Sequence, residues 1–191
     1  MELPKKKYNL IYCDPPWQYN EGRVFVDGAA ELQYPTMSIE ELKALPIKEL
    51  ADKDCVMFLW VTFPKLKDGL ELMEEWGFNY RTVAFVWIKM VEGIDKERSG
   101  IGFHTNSNAE IVLLGKRGRV DRINKDVKQI IKSKITTHSS KPHEAYSRIE
   151  RLYGDIPKIE LFARVRREGW DSWGNQVPKD TQKLLFNNTN I

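Results

Sequence analysis

Asp14-Pro15-Pro16-Trp17 concentrates more chemistry than any other four residues of this chain. The segment follows an apolar run, Tyr8-Asn9-Leu10-Ile11-Tyr12-Cys13, that reads as a buried strand. An acid, two prolines and an aromatic ring at the carboxyl end of such a strand stand where open α/β sheets bind ligands. A carboxylate, a backbone carbonyl and an aromatic face together suit a flat, weakly basic amine. The exocyclic amino group of a nucleobase fits that description. Its two N–H bonds would be taken by Asp14 and the Pro15 carbonyl, the prolines would fix the carbonyl's direction, and Trp17 would offer a π face to the base.

The elements that must hold this segment alternate along the chain. Ser38, with Glu41 three residues on, starts a helix as a capping box, and Pro46 breaks its apolar stripe. Cys55 to Val61 reads as a second buried strand. Pro64 to Trp76 is amphipathic at helical spacing, with Gly77 as its stop. Tyr80 to Met90 is rich in β-formers and reads as a third strand. Glu110 to Leu114 is a fourth strand ended by Gly115. A basic stretch then follows as a loop or short helix. Pro142 to Tyr153 forms a helix ended by Gly154, and Pro157 to Val165 a fifth strand. Strands alternating with helices predict a mostly parallel sheet covered on both faces. The irregular stretches Gln18–Pro35 and Val91–Ser107 are long enough to be functional loops. Neither G-x-G-x-x-G nor G-x-x-x-x-G-K-[ST] occurs.

Composition bounds the remaining choices. A length of 191 residues suits one domain, with 41% hydrophobic and 30% charged residues. No stretch approaches the roughly 20 apolar residues of a membrane span, and the lysine-rich start has no secretory apolar core. Cys13 and Cys55 both lie in apolar runs, as reduced, buried residues would. His104, His138 and His143 are scattered, so no metal site is expected. The net charge is +3, but residues 116–134 hold eight Lys/Arg against two Asp. The remainder is therefore net acidic. Such a segment, with Lys116, Arg117 and Arg119 at its head, matches the footprint of a phosphate-backbone binder. Asn106 and Glu110 are candidate contacts to target or cofactor. Trp60, Trp76 and Trp87 read as core.

The catalytic-looking strand resembles that of amino-group methyltransferases that use S-adenosylmethionine. Tyr34-Pro35-Thr36-Met37-Ser38, Phe58-Leu59-Trp60-Val61-Thr62, Trp87-Ile88-Lys89 and Ser140-Lys141-Pro142-His143-Glu144 extend the likeness. Ile149-Glu150-Arg151, Lys158 to Arg164 and Gly174-Asn175-Gln176 complete it in order. The chain is thus similar, from about Tyr8 to Val177, to the family of the messenger-RNA adenosine methyltransferase catalytic subunit and its bacterial and phage DNA-adenine relatives.

The resemblance implies a seven-stranded, mostly parallel, Rossmann-like α/β sheet of permuted order, its catalytic motif ahead of the cofactor-binding strand. One methyltransferase domain would span 1–177, followed by a polar tail at 178–191. By the same resemblance Asp14 would hold the cofactor's ammonium and the target amine, and Lys141 would face the cofactor's carboxylate. Arg164 and Gln176 would contact the ribose, Asn175 the adenosine end, and Trp17 and Tyr34 would line the base pocket. Where the messenger-RNA enzymes carry His-Asn, this chain has Arg166-Arg167, able to bind the cofactor carboxylate or nucleic-acid phosphate. The family's upstream segment that grips the cofactor's adenine has no counterpart in the thirteen residues before Asp14. The expected substrate is the N6 amine of adenine in DNA, with RNA adenosine, cytosine or a glutamine side chain as other acceptors. A non-catalytic nucleic-acid-binding subunit is the reading from another class. A homo- or heterodimer and the cytoplasm of a bacterial or phage-infected cell complete the expectations.

Overall fold

The computed structural model describes residues 2–19, 35–100, 104–135 and 141–177. Their backbone forms β1 (Tyr8–Cys13), α1 (Ile39–Lys43), α2 (Ile47–Leu50), β2 (Ala51–Val61), α3 (Leu66–Glu75) and β3 (Asn79–Met90). β4 (Ala109–Arg117), β5 (Ile130–Lys134), α4 (His143–Tyr153), β6 (Lys158–Leu161) and β7 (Asp171–Trp173) follow. A single 3-10 turn, Phe63–Lys65, leads from β2 into α3. The seven strands form one sheet in the order β5-β3-β4-β2-β1-β6-β7. Every neighbour pair is parallel except those made by β4, which runs against β2 and β3. The mostly parallel α/β architecture matches the expectation.

Alternation along the strands feeds two cores, one on each face. Ile11, Cys13, Met57, Leu59 and Val61 pack with Leu72, Met73 and Trp76 of α3 and with Leu42 of α1. Leu10, Tyr12, Val56, Phe58 and Trp60 pack on the other face with Ala145, Tyr146 and Ile149 of α4. α1 has the predicted cap: Ser38 Oγ accepts from the Glu41 amide at 3.2 Å, and Glu41 accepts from the Ser38 amide at 2.8 Å. Such a cap contributes about 1 kcal/mol. Trp60, Trp76 and Trp87 are all core residues, 0 to 2% exposed.

Four local expectations need correction. β4 does not end at Gly115 but runs on to Arg117. A Cβ at Gly115 would lie 2.5 Å from the Met73 sulfur, so this glycine admits the α3 side chain rather than stopping the strand. The basic segment is neither loop nor helix throughout: it begins in β4 and ends as β5, paired with β3. The strand expected over Pro157–Val165 is only Lys158–Leu161, because Phe162 turns to a positive φ of 60° and leaves the ladder. Finally, β5 and β7 raise the five strands read from the pattern to seven. Tyr34, His138, most of the Gln18–Pro35 loop and the tail from 178 lie outside the described residues.

Candidate active site

The parallel strands all end on one edge of the sheet, and the chain order reverses between β1 and β6: β2 lies on one side of β1, while β6 and β7 lie on the other. Open α/β sheets place ligands at such a switch point. One pocket opens there. Its wall takes Asp14 to Trp17 after β1, Thr62 after β2, Phe162 to Arg164 after β6, and Gly174 to Gln176 after β7. Because β4 is antiparallel, it is the start of that strand, Glu110, that reaches the same edge. Lys141 enters from the segment ahead of α4.

An alternating charge chain leads from Lys89 into the pocket, where Glu110, Lys141 and Asp14 line the wall. Lys89 Nζ lies 2.5 Å from Glu110 Oε1, Glu110 Oε2 lies 2.8 Å from Lys141 Nζ, and Lys141 Nζ lies 3.1 Å from Asp14 Oδ1. Lys141 also stands 5.2 Å from the centroid of the Trp60 ring. The side chains of Glu110 and Lys141 are 12% and 13% exposed, while Asp14 keeps 26%. Burial alone would raise the Glu110 carboxyl, but Lys141 and Lys89 outweigh it and hold the group down to about 2. Burial would lower Lys141; Asp14 and Glu110 reverse that and hold it firmly protonated. For Asp14 burial wins, with Lys141 opposing and Glu110 adding to it, so its carboxyl sits above the usual carboxylate range. Thus Glu110 neutralises this wall, and Asp14 is the more basic of the two carboxylates.

The backbone around Asp14 is fixed by its own hydrogen bonds. The Trp17 amide donates to the Pro15 carbonyl at 2.8 Å, and the Met37 amide donates to the Pro16 carbonyl at 2.8 Å. The Pro15 oxygen thus has one lone pair engaged and its direction set, with a second acceptor position remaining. Two other pieces of backbone are pressed together at the opposite lip. A Cβ at Gly174 would lie 2.2 Å from the Ala163 carbonyl oxygen, so no other residue lets the β6 and β7 exits approach so closely. Phe162, the lone non-glycine with positive φ among the described residues, packs edge-on against Trp173 at 5.5 Å. Strained backbone of this kind gathers at ligand sites.

Asp14, Pro15, Pro16, Trp17, Glu110, Lys141, Arg164, Asn175 and Gln176 all border the pocket. Trp17 does so as a buried wall rather than an open platform: it is 5% exposed, and its indole N–H donates to the Trp60 carbonyl at 3.2 Å. Arg166 and Arg167 are not on the pocket wall. The Arg167 guanidinium stacks 3.7 Å from the centroid of the Tyr146 ring and hydrogen-bonds His143 at 2.8 Å. Asn106 is exposed and also off the wall. Lys116, Arg117 and Arg119 are carried away, because β4 runs from the pocket toward the opposite edge. Six residues of strand put Lys116 roughly 20 Å from Glu110. There Arg117 donates to the Lys48 carbonyl, and Arg119 pairs with Asp121. Tyr19, Thr62 and Phe162 also line the pocket, though no motif of the sequence gives them a role. In the sequence the one signal for Tyr19 is its place two residues after Trp17.

A family model described as MT-A70 matches residues 8–176. Type II methyltransferase M.MunI of Mycoplasma sp is 37% identical over 195 residues, covering 93% of this chain and 81% of that protein. The N(6)-adenosine-methyltransferase MT-A70-like protein of Drosophila melanogaster is 33% identical over 175 residues, which cover 90% of this chain but 27% of the relative. The N(6)-adenosine-methyltransferase catalytic subunit METTL3 of Homo sapiens is 32% identical over 175 residues, again 90% of this chain and 28% of the relative. The chain thus spans little more than a quarter of the length of these two animal relatives. Among the described residues no helix is long and apolar enough to cross a membrane. With an acid-proline-aromatic segment at the switch point of the sheet and a family match over nearly its whole described length, this chain belongs to the MT-A70 family of S-adenosylmethionine-dependent methyltransferases.

Proposed function

We propose that the chain methylates the exocyclic N6 amine of adenine in DNA. The observation that carries this reading is the pocket-facing Asp14 carboxylate, with the Pro15 carbonyl beside it, in a chain that covers most of a type II methyltransferase relative. A scaffold subunit has no use for that carboxylate. DNA is favoured over RNA because the chain spans most of M.MunI but only a small part of the adenosine methyltransferases. Such an enzyme would work on DNA in a bacterial or phage-infected cytoplasm.

The residues of the pocket fit S-adenosylmethionine by their chemistry. Asp14 suits a cationic ammonium, Lys141 a carboxylate, the Asn175 and Gln176 amides and Arg164 a ribose, and Pro16, Phe162 and Met37 an apolar ring. The close lip at Gly174 supplies a backbone cradle. When bound, the cofactor supplies an electrophilic methyl group.

The chain's own part is orientation and proton handling. A nucleobase amine is a weak nucleophile because its lone pair is delocalised into the ring. Asp14 and the Pro15 carbonyl accept its N–H bonds and leave that lone pair directed outward, and they stand where positive charge develops on nitrogen. The proton that the nitrogen must lose meets an acceptor whose basicity burial has raised. Glu110 keeps Lys141 charged and placed, so that the lysine screens Asp14 without protonating it.

Incubating the protein with labelled cofactor and a panel of adenine-containing DNA and RNA oligonucleotides, followed by nucleoside mass spectrometry, is expected to yield N6-methyladenine in DNA. Label confined to RNA would move the substrate to the other polymer, and label on cytosine would overturn the adenine assignment. Gly174→Ala, which must push the two lips of the pocket apart, is expected to weaken calorimetric binding of S-adenosylhomocysteine at least tenfold. Wild-type affinity in that variant would show that the cradle is not part of the cofactor site.

A further inference from the structure

The adenine reading needs an aromatic face for the flipped base, and Trp17 is poorly placed to give it. Its ring is 5% exposed, its N–H is committed to the Trp60 carbonyl, and its neighbours on both sides are tied to Met37 through backbone hydrogen bonds. Tyr19 differs in exposure. It is only partly buried and borders the same pocket as Asp14, Glu110 and Lys141. Its hydroxyl lies 2.8 Å from Thr62 Oγ1, on the residue that leaves β2. The Lys65 ammonium stands 5.5 Å from its ring centroid and is held in turn by Asp68 at 2.8 Å. Burial, against the opposing bond to Thr62, pushes the phenol up to about 12, so the ring stays neutral.

Resting on the adenine reading, we propose that Tyr19, clamped by Thr62, is the positioning residue that stacks on the target base, while Trp17 serves as the fixed back wall of the pocket. The ligand class is a planar heteroaromatic ring bearing an exocyclic amine. A ring pinned at its hydroxyl and flanked by a cation is preorganised, so it gives up little freedom on capture. Because every base offers a π face, the stack supplies affinity and orientation while Asp14 and Pro15 select the amine.

The test uses the full chain, the oligonucleotide methylated by the wild type, and the same oligonucleotide with 2-aminopurine at the methylated position. Tyr19→Leu is expected to raise KM for the oligonucleotide roughly tenfold to a hundredfold. S-adenosylhomocysteine affinity should stay within about twofold, and the bound 2-aminopurine should fluoresce more brightly for want of a stacking partner. Tyr19→Phe and Thr62→Val each release the clamp. Each is expected to raise KM about threefold, and the double variant no further than either alone, because both remove one interaction. Unchanged KM and unchanged 2-aminopurine emission in Tyr19→Leu would overturn the stacking assignment while leaving adenine methylation standing. A parallel loss of S-adenosylhomocysteine binding would overturn it too, in favour of a structural role. If the wild type methylates adenine in no polymer, the adenine reading falls and the Tyr19 assignment falls with it.

Discussion

Asp14→Asn is expected to lower kcat about a hundredfold to a thousandfold while leaving the fold intact. The substitution keeps the shape and replaces one acceptor oxygen by an N–H₂ donor. A donor facing the donors of the target amine removes an acceptor from the place where charge develops, a loss of the size measured for single preorganised groups in other enzymes. The charge chain survives, because Lys141 retains Glu110 at 2.8 Å. Stability should hold as well. Burial raises the Asp14 carboxyl, which means that folding disfavours its ionised form, so deleting that charge costs the fold nothing. Thermal melting by circular dichroism alongside steady-state kinetics checks both halves, and more than a tenth of wild-type kcat in this variant would sink the catalytic role. Activity of the wild type, which needs the carboxylate, should fall off in acid at a pH above that of an ordinary aspartate.

Glu110→Ala should do the reverse and damage the fold first. It leaves Lys89 and Lys141 sharing one buried neighbourhood without the carboxylate that both bridge. Breaking such a partly buried network is expected to cost about 3–5 kcal/mol, which for a domain of this size lowers Tm by roughly 10 °C. Lys141 then has only Asp14, so the remaining folded enzyme should also lose activity. The sign of the pH effect follows from a folded pKa depressed to about 2 from an ordinary 4.5. The stabilisation is complete above pH about 4.5 and drains away as the pH falls toward about 2. Urea titrations of wild type and Glu110→Gln across that window should therefore converge at its acid end. A constant gap between them would show that Glu110 does not anchor the network.

What the chain discloses by itself is whatever is local. Tyr8 to Cys13 and the capping box at Ser38 are short patterns whose period or spacing names the element. Asp14 to Trp17 stands out through four adjacent residues, and all four line the pocket. The misplaced features depend on partners distant in sequence. Gly115 has the look of a stop until Met73 arrives against it. β7 has three residues, and β5 reads as a charged run until β3 offers it a ladder. Arg167 is a free cation in the sequence and a stacking partner of Tyr146 in the fold. Nothing local reveals that β4 runs backward, and that direction decides that Glu110 stands at the pocket and Lys116 and Arg117 at the far edge. Trp17 has an aromatic's chemistry on paper, but whether its face is open depends on Trp60 and Met37 packing around it.

Lys89 stands one residue before the end of β3 and Glu110 one residue into β4, and the two are locked together at 2.5 Å while the Lys89 amide donates to the Asn108 carbonyl. The intervening connection therefore leaves and returns beside the pocket, with its two anchors held to each other. Lengthening or rewriting it shifts no reacting group, since closing a longer loop adds only a slowly growing entropic cost. Changes in that connection are therefore expected to leave the charge chain beneath it in place.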